Sequence, residues 1–197
     1  NTRKFGLGMM GFADTLIRLG IKYDSKEGLQ FAERVISFIK QAAYEKSMEL
    51  AIERGVCPSW RGSEHHKAGR KMRNMSCLSI SPTGTISILA DVSSSCEPLY
   101  AIAFQKSVLG DTDLIYINKH FEDIARTRGF YSEDLMRKIS RSGSIQQFKE
   151  IPKDVRDLFV IAQDINPEWH IKMQATLQKY VDNSISKTIN VPQEASI

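Results

Sequence analysis

The sequence predicts a helix-rich α/β fold in a single domain over residues 1–197. Two observations carry that expectation. Apolar residues recur at 3.6-residue spacing in several long stretches, the mark of helices with one buried face. Two strand-like runs, 74–80 and the β-branched 185–191, are separated by such stretches, and strands alternating with helices argue α/β. A chain of 197 residues is long enough for one domain with a substantial core, or for two small ones.

The elements follow in order. Gly6-Leu7-Gly8-Met9-Met10-Gly11 opens a helical pattern through Phe12, Leu16, Ile17 and Leu19 that Gly20 closes. Asp24 or Ser25 caps a long amphipathic helix in which Leu29, Ala32, Val35, Ile36, Ile39, Ala42, Ala43 and Leu50 keep helical spacing up to Gly55. Residues 56–72 read as a polar, basic loop. The strand-like run 74–80 ends in Ser81-Pro82-Thr83-Gly84-Thr85-Ile86-Ser87-Ile88, a strand, tight turn and helix start. A small-residue loop, Asp91 to Pro98, precedes a candidate strand at 99–104. The second half reads as mostly helical: one helix around 114–128 stopped by Gly129, and one capped by Ser132 and stopped by Gly143. Pro152 and Pro167 open two more, running to about Ala162 and about Tyr180. A final strand is expected at 185–191.

Composition limits the function classes. Apolar residues make up 42% and charged residues 25%, ordinary for a globular protein, and no apolar run approaches the ~20 residues of a membrane span. A formal charge of +4 suits anionic ligands without demanding nucleic acid. Cys57, Cys77 and Cys96 stand singly, which argues for a reducing, cytoplasmic setting and against a disulfide framework or a cysteine-rich zinc site. No signal peptide is visible, and both ends are abrupt, as in a piece of something longer.

The turn at 82–87 carries the chemistry. A helix start after a strand exposes backbone N–H groups at the positive end of the helix dipole, which suits an anion. Thr83, Thr85 and Ser87 add hydroxyls, and Gly84 permits close approach to the backbone. Against this phosphate cradle stands an ordinary Ser/Thr-capped helix.

The other motifs are weaker. Gly6-x-Gly8-x-x-Gly11 resembles a dinucleotide fingerprint, but only Asn1-Thr2-Arg3-Lys4-Phe5 precedes it where a hydrophobic strand is required. Close packing of a glycine-rich turn is the alternative. His65, His66, His120 and His170 show no metal-ligand spacing. Lys67, Arg70, Lys71 and Arg73 either steer phosphates toward the turn or form a solvated loop. Cys77 and Cys96 are either redox thiols or buried small hydrophobes, and Glu97 either holds a functional role or ends its loop.

Several segments together resemble one family. They are Thr2 through Asp14, Arg73 through Ser87, Arg128-Gly129-Phe130-Tyr131-Ser132, and Asp164 through His170 continuing to Asn183 through Pro192. In this order they are similar to the C-terminal part of the catalytic barrel of a ribonucleotide reductase large chain, most like the adenosylcobalamin-dependent (class II) branch. The resemblance implies the second half of a ten-stranded α/β barrel, the N-terminal part lying outside this chain. It implies reduction of ribonucleotides to deoxyribonucleotides, a step of DNA synthesis, by a thiyl-radical mechanism with adenosylcobalamin as cofactor. Pro82, Thr83, Gly84, Thr85, Ile86 and Ser87 would hold the phosphates of a ribonucleoside di- or triphosphate.

No catalytic residue is expected here, because the family's Asn-x-Cys-x-Glu loop does not occur in these 197 residues. The partners implied are the remaining part of the reductase chain and, through exposed strand edges, another copy of this one. One departure stands out. The family's Ser-Ser-Gly-Ile-Glu-Pro loop ends here in Ser94-Ser95-Cys96-Glu97-Pro98 after Ser93, with serine for glycine and cysteine for the apolar residue. Two other readings remain: a non-catalytic nucleotide-binding or assembly module that needs a partner chain, and a free-standing dinucleotide-dependent oxidoreductase.

Overall fold

The computed structural model describes residues 2–108 and 112–191, so the abrupt C-terminal end read above lies outside the described residues. The helices follow their punctuation. Helix α1 spans Phe12–Arg18 behind Gly11, which sits at φ 75. The long α2 spans Lys26–Arg54; Ser25 caps it by accepting from the Gly28 amide, and Gly55 ends it at φ 77. The basic stretch 56–72, which reads as loop from its polarity, contains one turn of helix, α3, Glu64–Lys67. Helix α4, Gly84–Leu89, follows the Pro-Thr-Gly turn.

The next part departs from expectation. Strands β1, Ala103–Val108, and β2, Thr112–Ile117, form an antiparallel two-stranded sheet. The sequence predicts a helix around 114–128, but helix α5 begins only at Lys119, where Asn118 caps the His120 and Phe121 amides, and runs to Thr127. Leu114-Ile115-Tyr116-Ile117 is a β-forming run that pairs with 103–106, and that tertiary pairing decides its conformation. The candidate strand at 99–104 becomes a bridge at Leu99 to Ile161 followed by β1.

Helix α6, Glu133–Ser142, keeps its Ser132 cap and Gly143 stop. Pro152 is the cap of α7 rather than its first residue, and α7, Lys153–Leu158, ends early because Ile161 turns in to pair with Leu99. Helix α8, Pro167–Gln178, opens on Pro167 as expected.

The two strand-like runs 74–80 and 185–191 are present as short parallel ribbons, not regular strands. Leu7 bridges Leu78, and Ile80 bridges Ile185, both in parallel. The Leu7 amide donates to Cys77 O at 2.7 Å and the Ser186 amide to Ile80 O at 2.9 Å. Residues 76–80 thus lie between a ribbon near the start of the chain and one near its end. The β reading of 185–191 holds at its first residues only.

The apolar residues form two cores. One joins α1, α2 and α8 to the ribbon through Leu16, Ile36, Leu78, Ile80, Met173 and Leu177. The other gathers α5, α6 and α7 around Phe121, Ile139 and Phe159, with the Phe121 and Phe159 rings edge-on at 5.5 Å. Among the described residues no helix is long and apolar enough to cross a membrane.

Candidate phosphate-binding site

The turn at 82–87 grows out of the central ribbon at Ile80. Thr83 takes a left-handed conformation, φ 54 and ψ 23. That region costs a β-branched residue on the order of 1–3 kcal/mol, so something must hold it there. Two bonds do. Its carbonyl accepts from the Ser87 amide at 2.9 Å, and its Oγ1 accepts from the Ser95 amide at 2.8 Å.

Thr83 makes no side-chain cap on α4, so the ordinary Ser/Thr-capped helix is not what forms. The amides of Gly84, Thr85 and Ile86 precede the first helical bond, the one from Ser87 to Thr83. A Cβ built on Gly84 meets nothing within 4 Å, so the approach to those amides is open. Pro82, Gly84, Thr85 and Ile86 are exposed and Thr83 half-buried. Ser87 is placed differently: it is buried, and its hydroxyl donates back to Gly84 O at 3.1 Å.

The small-residue loop 91–98 supports this turn from behind, clamped at both ends. At its start, Asp14 on α1 accepts from the Ser93 amide at 2.5 Å, and Ser93 O accepts from the Gly11 amide at 2.6 Å. Asp91 receives the Tyr116 hydroxyl at 2.8 Å and Lys119 Nζ at 2.7 Å, tying the loop to the hairpin. At its end, Glu97 Oε2 accepts from Lys187 Nζ at 2.6 Å and Oε1 from the Thr188 amide at 2.7 Å. Between the clamps, Tyr23 donates its hydroxyl to Cys96 O at 2.8 Å. Ser95, at the place of the family pattern's glycine, has φ 50.

The Lys187 side chain is fully buried. A buried ammonium needs its hydrogens satisfied, and Nζ finds Glu97, Thr188 O at 3.1 Å and His170 Nδ1 at 3.1 Å. His170 Nε2 lies 3.0 Å from Ala162 O, so Nε2 carries the proton and Nδ1 accepts from Lys187. Burial and the neighbouring ammonium push the imidazole below its ordinary value, so it stays neutral.

A second polar hub sits across the ribbon. Asp182 Oδ2 accepts from the Cys77 and Leu78 amides at 2.8 and 3.1 Å, and Oδ1 from the Tyr44 hydroxyl at 2.5 Å. Burial works to raise this carboxyl, yet Tyr44, the two amides and Lys40 together hold it below the usual carboxylate range.

The remaining candidates fall to packing. Burial first, then Asp182, pushes the Cys77 thiol up to about 11, and burial raises that of Cys96. Both are core side chains, the reading as small hydrophobes. Cβ atoms at Gly6 and Gly8 would lie 2.8 Å from Ser79 Cβ and 2.6 Å from Ser79 O. The glycines therefore let the first ribbon press against the central one, and the dinucleotide fingerprint is a packing motif. His65 packs edge-on against Tyr44, and His66 Nδ1 accepts from the Gly62 amide. Arg73 caps the end of α2 by donating to Arg54 O and Gly55 O. Lys187, Asp182 and Asp14 were missed from the sequence, since each acts on residues 79 or more positions away along the chain, except for the contacts of Lys187 with His170 and Thr188.

Over residues 1–197 the chain matches the family described as ribonucleotide reductase, barrel domain. It belongs to that family. The barrel segment is 50% identical over 195 residues to the vitamin B12-dependent ribonucleoside-diphosphate reductase of Thermoplasma acidophilum, covering 99% of this chain and 25% of that protein. It is 41% identical over 196 residues to the protein of the same description from Mycobacterium tuberculosis, covering 100% of this chain and 28% of that one. Among solved structures, the class Id ribonucleotide reductase alpha subunit of Actinobacillus ureae superposes with a TM-score of 0.77 at 26% identity, over 92% of this chain and 32% of that one. The barrel segment thus spans about a quarter of the length of these curated relatives. The reductase resemblance stands, and both of these relatives carry the vitamin B12-dependent description.

Proposed function

We propose that this barrel segment contributes the substrate-phosphate cradle of a ribonucleotide reductase, and that Pro82, Thr83, Gly84, Thr85, Ile86 and Ser87 form it. The observation that carries this reading is the pinned, left-handed Thr83 immediately before the open amides of Gly84, Thr85 and Ile86. Those amides and the exposed Thr85 hydroxyl supply donors for a terminal phosphate. Ser87 serves from inside, bracing the first turn. The relatives' description as ribonucleoside-diphosphate reductases favours a diphosphate.

Holding the phosphates fixes the ribose in a near-attack position, where radical chemistry depends on distance and orientation. The radical chemistry itself is assigned to adenosylcobalamin and to residues on other parts of the reductase. The buried thiols of Cys77 and Cys96 are poorly placed to carry a radical to substrate. Both ring nitrogens of His170 are engaged, Nε2 with Ala162 O and Nδ1 with Lys187, so that imidazole serves the fold. In this reading the segment forms the second half of the barrel, works in the cytoplasm, associates with the rest of the reductase chain and self-associates when alone.

The test is Gly84→Val in the full chain. The added side chain has room, yet it covers the amides. The expected result is at least a tenfold weaker affinity for a ribonucleoside diphosphate, with nucleoside affinity kept. Unchanged diphosphate affinity would remove the cradle.

A second reading, an assembly module without turnover, draws on the exposed Ile88, Leu89 and Tyr100 near the turn. Deoxynucleotide production on mixing with a complementary reductase fragment would decide for the enzyme.

A further inference from the structure

We infer that Glu97 is a positioning residue for the phosphate turn, acting through the amide of Ser95 on the hydroxyl of Thr83. The inference rests on the cradle reading above and names what sets the cradle's shape. Thr83 and Ser95 both hold positive φ values, 54 and 50, and neither is glycine. They are joined directly, Ser95 N–H to Thr83 Oγ1 at 2.8 Å. Ser95 is fully buried, so its amide has one direction in which to point once its neighbours are fixed.

On the C-terminal side two groups fix them, the Tyr23 hydroxyl on Cys96 O and, beyond it, Glu97. Both carboxylate oxygens are taken, one by the buried Lys187 ammonium and one by the Thr188 amide. The Glu97 amide closes a turn onto Ser94 O at 3.1 Å, with Ser95 inside that turn. The route is therefore short and continuous: segment 187–188, Glu97, the 94–97 turn, the Ser95 amide, the Thr83 hydroxyl, the open amides of α4. Glu97 itself touches no residue of the 82–87 turn in this chain of contacts. Its charge is spent on Lys187, so its effect on substrate is on the geometry of the turn.

The arrangement separates two carboxylate functions that the sequence left open. With both oxygens bonded to segment 187–188, Glu97 does more than end its loop. It transmits the position of the C-terminal ribbon to the place where phosphates are held.

The experiment measures affinity for a ribonucleoside diphosphate and for the matching nucleoside in the full chain, by calorimetry, in Glu97→Gln, Thr83→Val, the double variant and Gly84→Val. The expected result for Glu97→Gln is about tenfold weaker diphosphate binding, the equivalent of one lost charge-assisted contact, with nucleoside binding unchanged. In the Thr83→Val background the same substitution is expected to add less than twofold, because the link it acts through is gone. Equal weakening of nucleoside and diphosphate, or full additivity with Thr83→Val, would overturn the inference. So would an unchanged Glu97→Gln beside a weakened Gly84→Val. If Gly84→Val also binds normally, the cradle reading itself has failed. Should Glu97→Gln melt below the assay temperature, Lys187→Gln breaks the same ion pair from the other side and is read by the same criteria.

Discussion

Ser95 donates its amide to Thr83 Oγ1 at 2.8 Å, and both residues hold left-handed backbones that favour glycine. Neither conformation is stable locally, and each is kept by the other and by the clamps around them. The serine stands where the reductase pattern has glycine. Ser95→Gly is therefore expected to be at least as stable as the parent, while Ser95→Ala keeps the left-handed penalty. The gap between the two variants should be about 1 kcal/mol in urea denaturation. A Gly variant less stable than the Ala variant would contradict the strain at this position.

Thr83 and Thr85 are expected to differ. Thr85→Ala removes one exposed hydroxyl, which costs roughly 1 kcal/mol of diphosphate binding and leaves stability within about 0.5 kcal/mol. Thr83→Ala removes the acceptor of the buried Ser95 amide as well, so it should lower both affinity and the unfolding midpoint. Parallel binding and melting measurements on the two variants check this.

Asp182 accepts three hydrogen bonds, from Tyr44 and from the Cys77 and Leu78 amides, at the seam between α2 and the central ribbon. Asp182→Ala leaves two ribbon amides without their acceptor and is expected to cost about 3 kcal/mol or more. Tyr44→Phe removes one bond and should cost about 1–1.5 kcal/mol. Chemical denaturation of both gives the ratio.

Acid should loosen the fold in two stages. Burial and Lys187 depress His170 below its ordinary 6.5, so between that value and the folded one the unfolded chain binds a proton that the folded chain does not. Stability is present above pH 6.5 and falls on acidification through the folded value. Below the ordinary carboxylate value of 3.8, Asp182 adds a second loss of the same sign. His170→Gln should flatten the first stage only, read as the urea midpoint between pH 7 and pH 5.

Cys77, with its thiol pushed up to about 11, should be almost inert to a thiol reagent at pH 8, where about one molecule in a thousand is thiolate. Cys96 should share that protection in the folded chain and lose it in denaturant. Rapid labelling of either in the native state would reopen a redox role.

Local chemistry made much of the fold legible. Ser25, Gly55, Ser132, Gly143 and Pro167 mark helix ends because a cap, a left-handed glycine or a first-turn proline acts on its own few neighbours. The hairpin was not legible in the same way. Leu114 to Ile117 carries apolar residues that suit helix or strand, and pairing with 103–106 decides. The turn was found from its hydroxyls and glycine, but its support was hidden. Glu97 meets Lys187 at a separation of 90 residues, and no local spacing announces that pair.

The central ribbon has a consequence for how the chain is made. Residues 76–80 pair on one side with 5–7, already synthesised, and on the other with a stretch about 105 residues later. At ~5–20 residues per second, the second side waits roughly 5–20 s on the ribosome. During that interval the ribbon between Cys77 and Ile80 has one open flank, and whatever shields nascent chains must cover it until Asp182 and Ile185 arrive.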